Sequence, residues 1–330
     1  MIISASRRTD IPAFYAEWFL NRVRAGYVLT RNPFNPGQVR RVSLARPDVD
    51  VFVFWTRNAE PLMPRLAELD ALGYPYIFLY TITGYPRALE KSVPNAHKAI
   101  QTFRALSAAL GPGRVVWRYD PVLVCNLVDV AEHKRLFAKI AAGLEGATER
   151  VIVSFADFYK KTARNLKAVP GLETVDVVER KDALHDLAGF MAETAGAHGM
   201  TVQSCAEDVD LDRLGIGHGK CIDDALLNGV FGLSLGLGKD KNQRKACGCV
   251  ESVDIGAYNT CLHGCVYCYA TENKTLAAKN AALHDPASPF QVGRPGPRAR
   301  TTNPCCCDGR QAASFSRLSY TRLRPSDLAR

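Results

Sequence analysis

Residues 51–58 read VFVFWTRN, five apolar residues in a row that stop at a threonine, an arginine and an asparagine. A short run with no polar face is a strand buried on both sides, the kind from which parallel sheets are built. Outward from it the pattern recurs. Residues 76–82 end at Thr83-Gly84-Tyr85, 115–119 stop at Asp120-Pro121, 151–155 lead to Asp157, and 201–204 lead to Cys205. Toward the N-terminus, 2–4 precede Arg7, Arg8 and Asp10, and 26–30 precede Arg31-Asn32; toward the C-terminus, 253–255 run into a cysteine-rich loop. Helical spacing fills the intervals at 11–26, 58–72, 94–110, 130–143 and 270–283.

Seven or eight buried strands alternating with helices predict a parallel sheet with crossover helices. The expected class is α/β, a TIM-barrel-like (β/α) barrel, complete or partial, with the cysteine loop after its last strand. No GxGxxG follows a strand, and the GIGHG run at 215–219 sits in a polar stretch, so a dinucleotide-binding fold is not the reading. In a barrel the strand ends surround one mouth, where such folds place their chemistry. Arg7, Arg8, Asp10, Arg31, Arg57, Arg118, Asp120 and Asp157 follow successive strands and form the candidate catalytic rim, with Tyr159 and Glu207 nearby. So many arginines suit a small-molecule or phosphate-bearing anionic substrate.

The loop at 260–270 reads TCLHGCVYCYA. Cys261, Cys265 and Cys268 lie close enough for three thiolates to converge, with no fourth cysteine in the loop. Uneven three- and two-residue gaps favour a [4Fe-4S] cluster with one open iron over zinc, which usually takes four protein ligands from paired knuckles. Zinc and inert buried thiols remain the alternatives. A second set, Cys205, Cys221, Cys247 and Cys249, makes four ligands, enough for another iron-sulfur cluster or a structural zinc, or else scattered structural thiols. Cys125 follows an apolar run and is expected in the core. The basic stretch 239–245 precedes Cys247, and places Arg244 near that second set.

The CLHGCVYCYA wording resembles the cluster loop of radical S-adenosylmethionine (SAM) enzymes, nearest to the spore photoproduct lyase and DNA repair photolyase-like branch. More broadly, the chain is similar over most of 1–290 to a bacterial family defined as a domain of unknown function, through SASRRTDIPAF, RNPFNP, FWTRN, WRYDP, SCAED, KCIDD and NQRKACGC. That resemblance implies an enzyme with a [4Fe-4S] cluster on Cys261, Cys265 and Cys268 that binds SAM and starts radical chemistry. It also implies a flavodoxin- or ferredoxin-like reductant and Tyr267 as a backbone neighbour of the adenine. Two features depart from the superfamily. Its cysteine loop usually follows the first strand, and a Gly-Gly-Glu segment usually holds the methionine amine; here the loop follows the last strand and no such segment occurs. In a ring the last strand lies beside the first, so the loop would still meet Arg7 and Arg8.

At 330 residues and 47% hydrophobic the chain can bury a large core. The expected division is a barrel body over 1–204, a cysteine-rich segment over 205–290 that completes it, and a disordered or out-of-frame tail over 291–330. That tail has no Lys or Glu and carries Cys305-Cys306-Cys307. It also takes most of the net charge of +9, since from Asp285 onward there are eight arginines and three aspartates, which weakens a nucleic-acid partner for the body. No membrane span and no signal-peptide pattern occur, so a cytoplasmic location is expected, where clustered thiols more often bind metal than form disulfides. Two other readings stay open: a zinc-stapled nucleic-acid or protein binding module without catalysis, and a barrel hydrolase using Asp120, Asp157 and Glu207 beside a structural cluster.

Overall fold

A computed structural model describes residues 1–293 and the two-residue strand Thr321–Arg322. The expectation for the tail falls outside the described residues, apart from 291–293 and that pair. In chain order the elements are β1 (Ile2–Ala5), α1 (Ile11–Phe14), α2 (Ala16–Ala25), β2 (Tyr27–Asn32), β3 (Asn35–Ser43), β4 (Val51–Thr56), α3 (Leu66–Ala71), β5 (Tyr76–Thr81), α4 (Ala96–Leu110), β6 (Val115–Val122), β7 (Val124–Cys125), α5 (Val130–Leu144), β8 (Arg150–Phe155), α6 (Lys160–Lys167), β9 (Thr174–Val175), α7 (Lys181–Ala197), β10 (Thr201–Ser204), β11 (Gly217–His218), α8 (Asp224–Phe231), β12 (Val253–Asp254) and α9 (Lys274–Ala282).

Eight strands form one sheet in the order β11-β10-β8-β6-β5-β4-β1-β12, and every ladder in it is parallel. From β1 to β11 the order never reverses, so right-handed crossovers carry the connecting helices to one face. Side-chain parity agrees. Phe52, Phe54, Phe78 and Trp117 pack with Phe103 of α4, Phe137 of α5 and Leu187 of α7, whereas Val53, Trp55, Leu79 and Ile152 face Cys205, Ile222, Leu227 and Cys249. Both sides of β4 and β5 are therefore covered, which is why all six residues of each are buried.

The helices follow from capping and spacing. Asn95 caps α4 by accepting from Lys98 N at 2.9 Å, and Ala99, Phe103 and Leu106 bury one stripe. Asp129 does the same for α5, accepting from Glu132 N at 2.8 Å. β12 lies beside β1, pairing Ile3 with Val253 and Ser4 with Asp254, so the last strand does return to the first. No ladder joins β11 to β12 among the described residues, so the sheet is open at that seam and its established description is a large parallel α/β sheet.

Three expectations change. The strand expected at 26–30 forms, but as β2 of an antiparallel hairpin with β3, outside the main sheet. β3 carries a mostly polar, exposed sequence, and only Val28 and Val42 bury a face of the hairpin. The helix expected at 11–26 breaks at Tyr15 (φ −135°), which lets the Tyr15 hydroxyl donate to the Thr260 carbonyl at 2.6 Å, next to Cys261. The 215–219 stretch contributes β11 as an edge strand.

Candidate functional site

The C-terminal ends of the strands open into one cleft of about 220 Å³. Arg7, Arg8 and Asp10 enter it from β1, Arg57 from β4, Arg118 and Asp120 from β6, and Asp157 from β8; Cys261, Cys265 and Cys268 line it too. Arg31 does not. It lies in the β2–β3 hairpin, its guanidinium 4.1 Å from the Phe290 ring centroid, because its strand is not one of the eight. Arg244, absent from the expected rim, lines the cleft and pairs with Asp157.

Most of these charges have partners. Asp10 caps α1 at Ala13 N (3.0 Å) and accepts from Thr56 Oγ1 (2.8 Å), Arg57 N (2.7 Å) and His263 Nε2 (2.7 Å), so it is a positioning carboxylate that locks β1, β4 and the cysteine loop together. Arg57 donates to Glu90 Oε1 (2.7 Å) and Tyr267 Oη (2.6 Å), and Arg118 pairs with Asp120. Arg7 and Arg118 both lie over the Trp55 ring, 5.1 and 4.7 Å from its centroid. Arg8 is held at its base by Ser6 and reaches Gly256 O at 3.3 Å and Asp254 at 3.9 Å. The lining carries five arginines against three aspartates, a positive surface suited to an anion.

Backbone bonds sew the cysteine loop to the segment after β5. Ser92 N donates to His263 O (2.9 Å), Val266 N to Leu89 O (3.0 Å), and Glu90 bridges Cys265. Asn259, at φ 54°, turns the chain into the loop and accepts from Glu272 N and Asn273 N. The thiols of Cys261, Cys265 and Cys268 lie within one another's electrostatic reach. Burial pushes Cys261 well above the ordinary thiol range, and pushes Cys265 up to about 12 against the pull of Arg57. Held this way, Cys261 and Cys265 are poor thiolates until a cation takes the place of their protons. Tyr267 turns its hydroxyl to Glu90 and Arg57, and His263 leaves Nδ1 buried without a protein partner.

Cys205, Cys221, Cys247 and Cys249 gather behind Arg7. Cys205, Cys221 and Cys249 put their sulfurs within 4.8 Å of one another, a buried set that can hold a metal ion. Cys247 is buried beside them, within electrostatic reach of Cys249. The neighbouring sulfurs of Cys205, Cys221 and Cys247, with Arg7 nearby, lower the Cys249 pKa. Among the described residues this is the only set of donors drawn so close, and the loop cysteines are more widely spread. His218, on β11, is exposed and Cys125 is buried in the core. Glu207 accepts from Phe155 N at 2.8 Å, and burial pushes it up to about 7; it does not line the cleft, so it does not converge there with Asp120 and Asp157.

Glu90 was not legible as a site residue. It stands in an ordinary RALEKS stretch, and only the fold brings it under the loop. No helix of the described residues is long and apolar enough to cross a membrane.

A family model described as Domain of unknown function (DUF1848) matches residues 2–270. No curated protein matches the chain. Among solved structures, a candidate alpha-L-fucosidase from Bacteroides thetaiotaomicron VPI-5482 is 10% identical over 72% of this chain and 84% of its own, with a TM-score of 0.26. The structure of gox2181 is 9% identical over 77% and 93%, with a TM-score of 0.25. Likenesses at that level carry no argument.

Proposed function

The chain belongs to the DUF1848 family, and from that premise we propose that it is a radical-SAM-type iron-sulfur enzyme built on a partial (β/α) barrel and acting on an anionic, small or phosphate-bearing substrate. The observation that supports this is the sharing of one cleft by Cys261, Cys265, Cys268 and five arginines. The donor set fits: three soft thiols, spread more widely than a single tetrahedral ion needs, with Arg57 close to Cys265 and Cys268 to offset the negative charge.

Held by Cys261, Cys265 and Cys268, a [4Fe-4S] cluster would supply one-electron chemistry for the reductive cleavage of SAM to methionine and a 5′-deoxyadenosyl radical, with a flavodoxin- or ferredoxin-like donor as the electron source. The chain's own residues bind and shelter. Asp10 and the bonds from the segment after β5 fix the loop, whose three cysteines line the cleft. Arg7, Arg8 and Arg118 offer guanidinium groups for carboxylate or phosphate oxygens. Trp55, Tyr267 and Tyr269 line the cleft with aromatic surface.

Anaerobic protein given dithionite and SAM is expected to yield 5′-deoxyadenosine, and Cys265→Ser to yield none. Product formation undiminished in Cys265→Ser, or none from iron-replete wild type, refutes the proposal.

A further inference from the structure

We propose that Cys205, Cys221, Cys247 and Cys249 hold one tetrahedral zinc ion, which clips the ends of β10 and β11 to the approach to β12 and so closes the seam that no ladder spans. The site is separate from the cysteine loop and does not depend on the SAM reading.

Distance decides between an ion and a cluster. Four sulfurs on one zinc at about 2.3 Å form a tetrahedron with edges of about 3.8 Å. In a cubane each cysteine binds a different iron, which forces the sulfurs much further apart. Here three sulfurs fall within 4.8 Å of one another, Cys205 and Cys221 stand 3.0 Å apart, and the buried Cys247 lies beside this group, outside its tightest set, as the fourth ligand. That spacing is of the scale of one ion's ligands and well short of a cubane's.

Burial and charge agree with a closed, structural site. Relative exposures are 7, 2, 5 and 1% for Cys205, Cys221, Cys247 and Cys249, which leaves no open position for substrate or water. Four thiolates on a divalent ion carry a net charge of about −2. Around the site stand Arg7 against Cys249 and Cys221, Arg118 against Cys221, Arg244 against Cys205, and Lys220 against Cys249. The backbone N–H of Ile222 donates to Cys249 Sγ at 3.4 Å, a contact of the kind that orients a thiolate ligand.

Topology supplies the role. Cys205 follows β10, Cys221 follows β11, and Cys247 and Cys249 precede β12, so the four ligands come from both sides of the open seam. Around them, Gly219 N donates to Ser204 O and Val250 N to Ile222 O. Of these, the Val250 N to Ile222 O bond, with that of Ile222 N to Cys249 Sγ, crosses a gap where a barrel would have a full ladder.

Zinc K-edge X-ray absorption on the wild-type full-length protein tests this, since it is blind to iron at the loop. About one zinc per chain with four sulfur scatterers near 2.3 Å is expected. The Cys261→Ala/Cys265→Ala/Cys268→Ala variant should keep that zinc without acid-labile sulfide, and chelation should lower its melting temperature. Iron with sulfide retained in the triple variant, nitrogen or oxygen ligands in the zinc spectrum, or a metal-free site would overturn the proposal. Zinc intact with no deoxyadenosine formed would count against the SAM reading alone.

Discussion

Replacing Glu90 with alanine should be among the most damaging single changes in the protein. The carboxylate is 3% exposed and accepts from Arg57 Nη1 (2.7 Å), Thr83 Oγ1 (2.6 Å) and the Tyr267 hydroxyl. Burial alone would lower the Arg57 pKa, yet Glu90, helped by Tyr267 and Cys265, holds it well above the ordinary value. Without Glu90 that buried guanidinium loses its carboxylate partner, a loss that costs about 3–5 kcal/mol. Unfolding entropy for a chain of this length converts the loss to a fall of about 4–7 °C in melting temperature. Circular dichroism melts of metal-replete protein read it directly. The double variant Glu90→Leu/Arg57→Met, which removes both charges, should recover most of the loss, because apolar replacement of a whole buried pair is close to neutral. A shift under about 1 °C for Glu90→Ala, or a double variant worse than the sum of the singles, would refute the reasoning.

His133 is fully buried between the Tyr119 hydroxyl (2.9 Å) and Leu123 O (3.1 Å), and burial lowers its pKa to about 4. The unfolded chain therefore takes up this proton near pH 6.5 and the folded chain only near 4. Stability is full above pH 6.5 and falls by about 3 kcal/mol as pH drops to 4, a slope in urea midpoint that His133→Gln should flatten. At Gly256 an added Cβ would meet Ser6 Oγ, Ser6 Cβ at 2.6 Å and Thr9 Cγ2 at 2.9 Å. Gly256→Ala should cost about 1–3 kcal/mol in chemical denaturation and move Arg7 and Arg8, seen as weaker anion binding to the cleft; full stability would contradict the close packing. Arg31→Ala should leave deoxyadenosine formation within about twofold of wild type, whereas Arg118→Ala should lower it at least tenfold, in a time-course assay.

The strands were legible because β4, β5, β6 and β8 are apolar on both faces, and such runs have few other uses. Their parallel pairing was legible too, since strands alternating with helices are joined by crossovers. β2 misled because a strand signal does not name its partner. Tyr27–Asn32 pairs locally with β3, whose exposed polar sequence hides it, and Arg31 went with it out of the rim. At the site, arginines after strand ends and clustered cysteines stand out by type and place. Glu90 and the Asp10–His263 bond do not, because each depends on contacts between residues 177 and 253 positions apart in the chain. Convergence of the second cysteine set is likewise a property of β10, β11 and β12 meeting at one seam.

Iron and acid-labile sulfide counted in anaerobically purified wild type, with electron paramagnetic resonance of the dithionite-reduced protein before and after SAM, bears most directly on the central claim. About four iron and four sulfide per chain, removed by Cys261→Ala/Cys265→Ala/Cys268→Ala, and a reduced-state signal that changes on adding SAM are expected. Zinc at Cys261, Cys265 and Cys268 with no sulfide, or an iron signal indifferent to SAM, would contradict it.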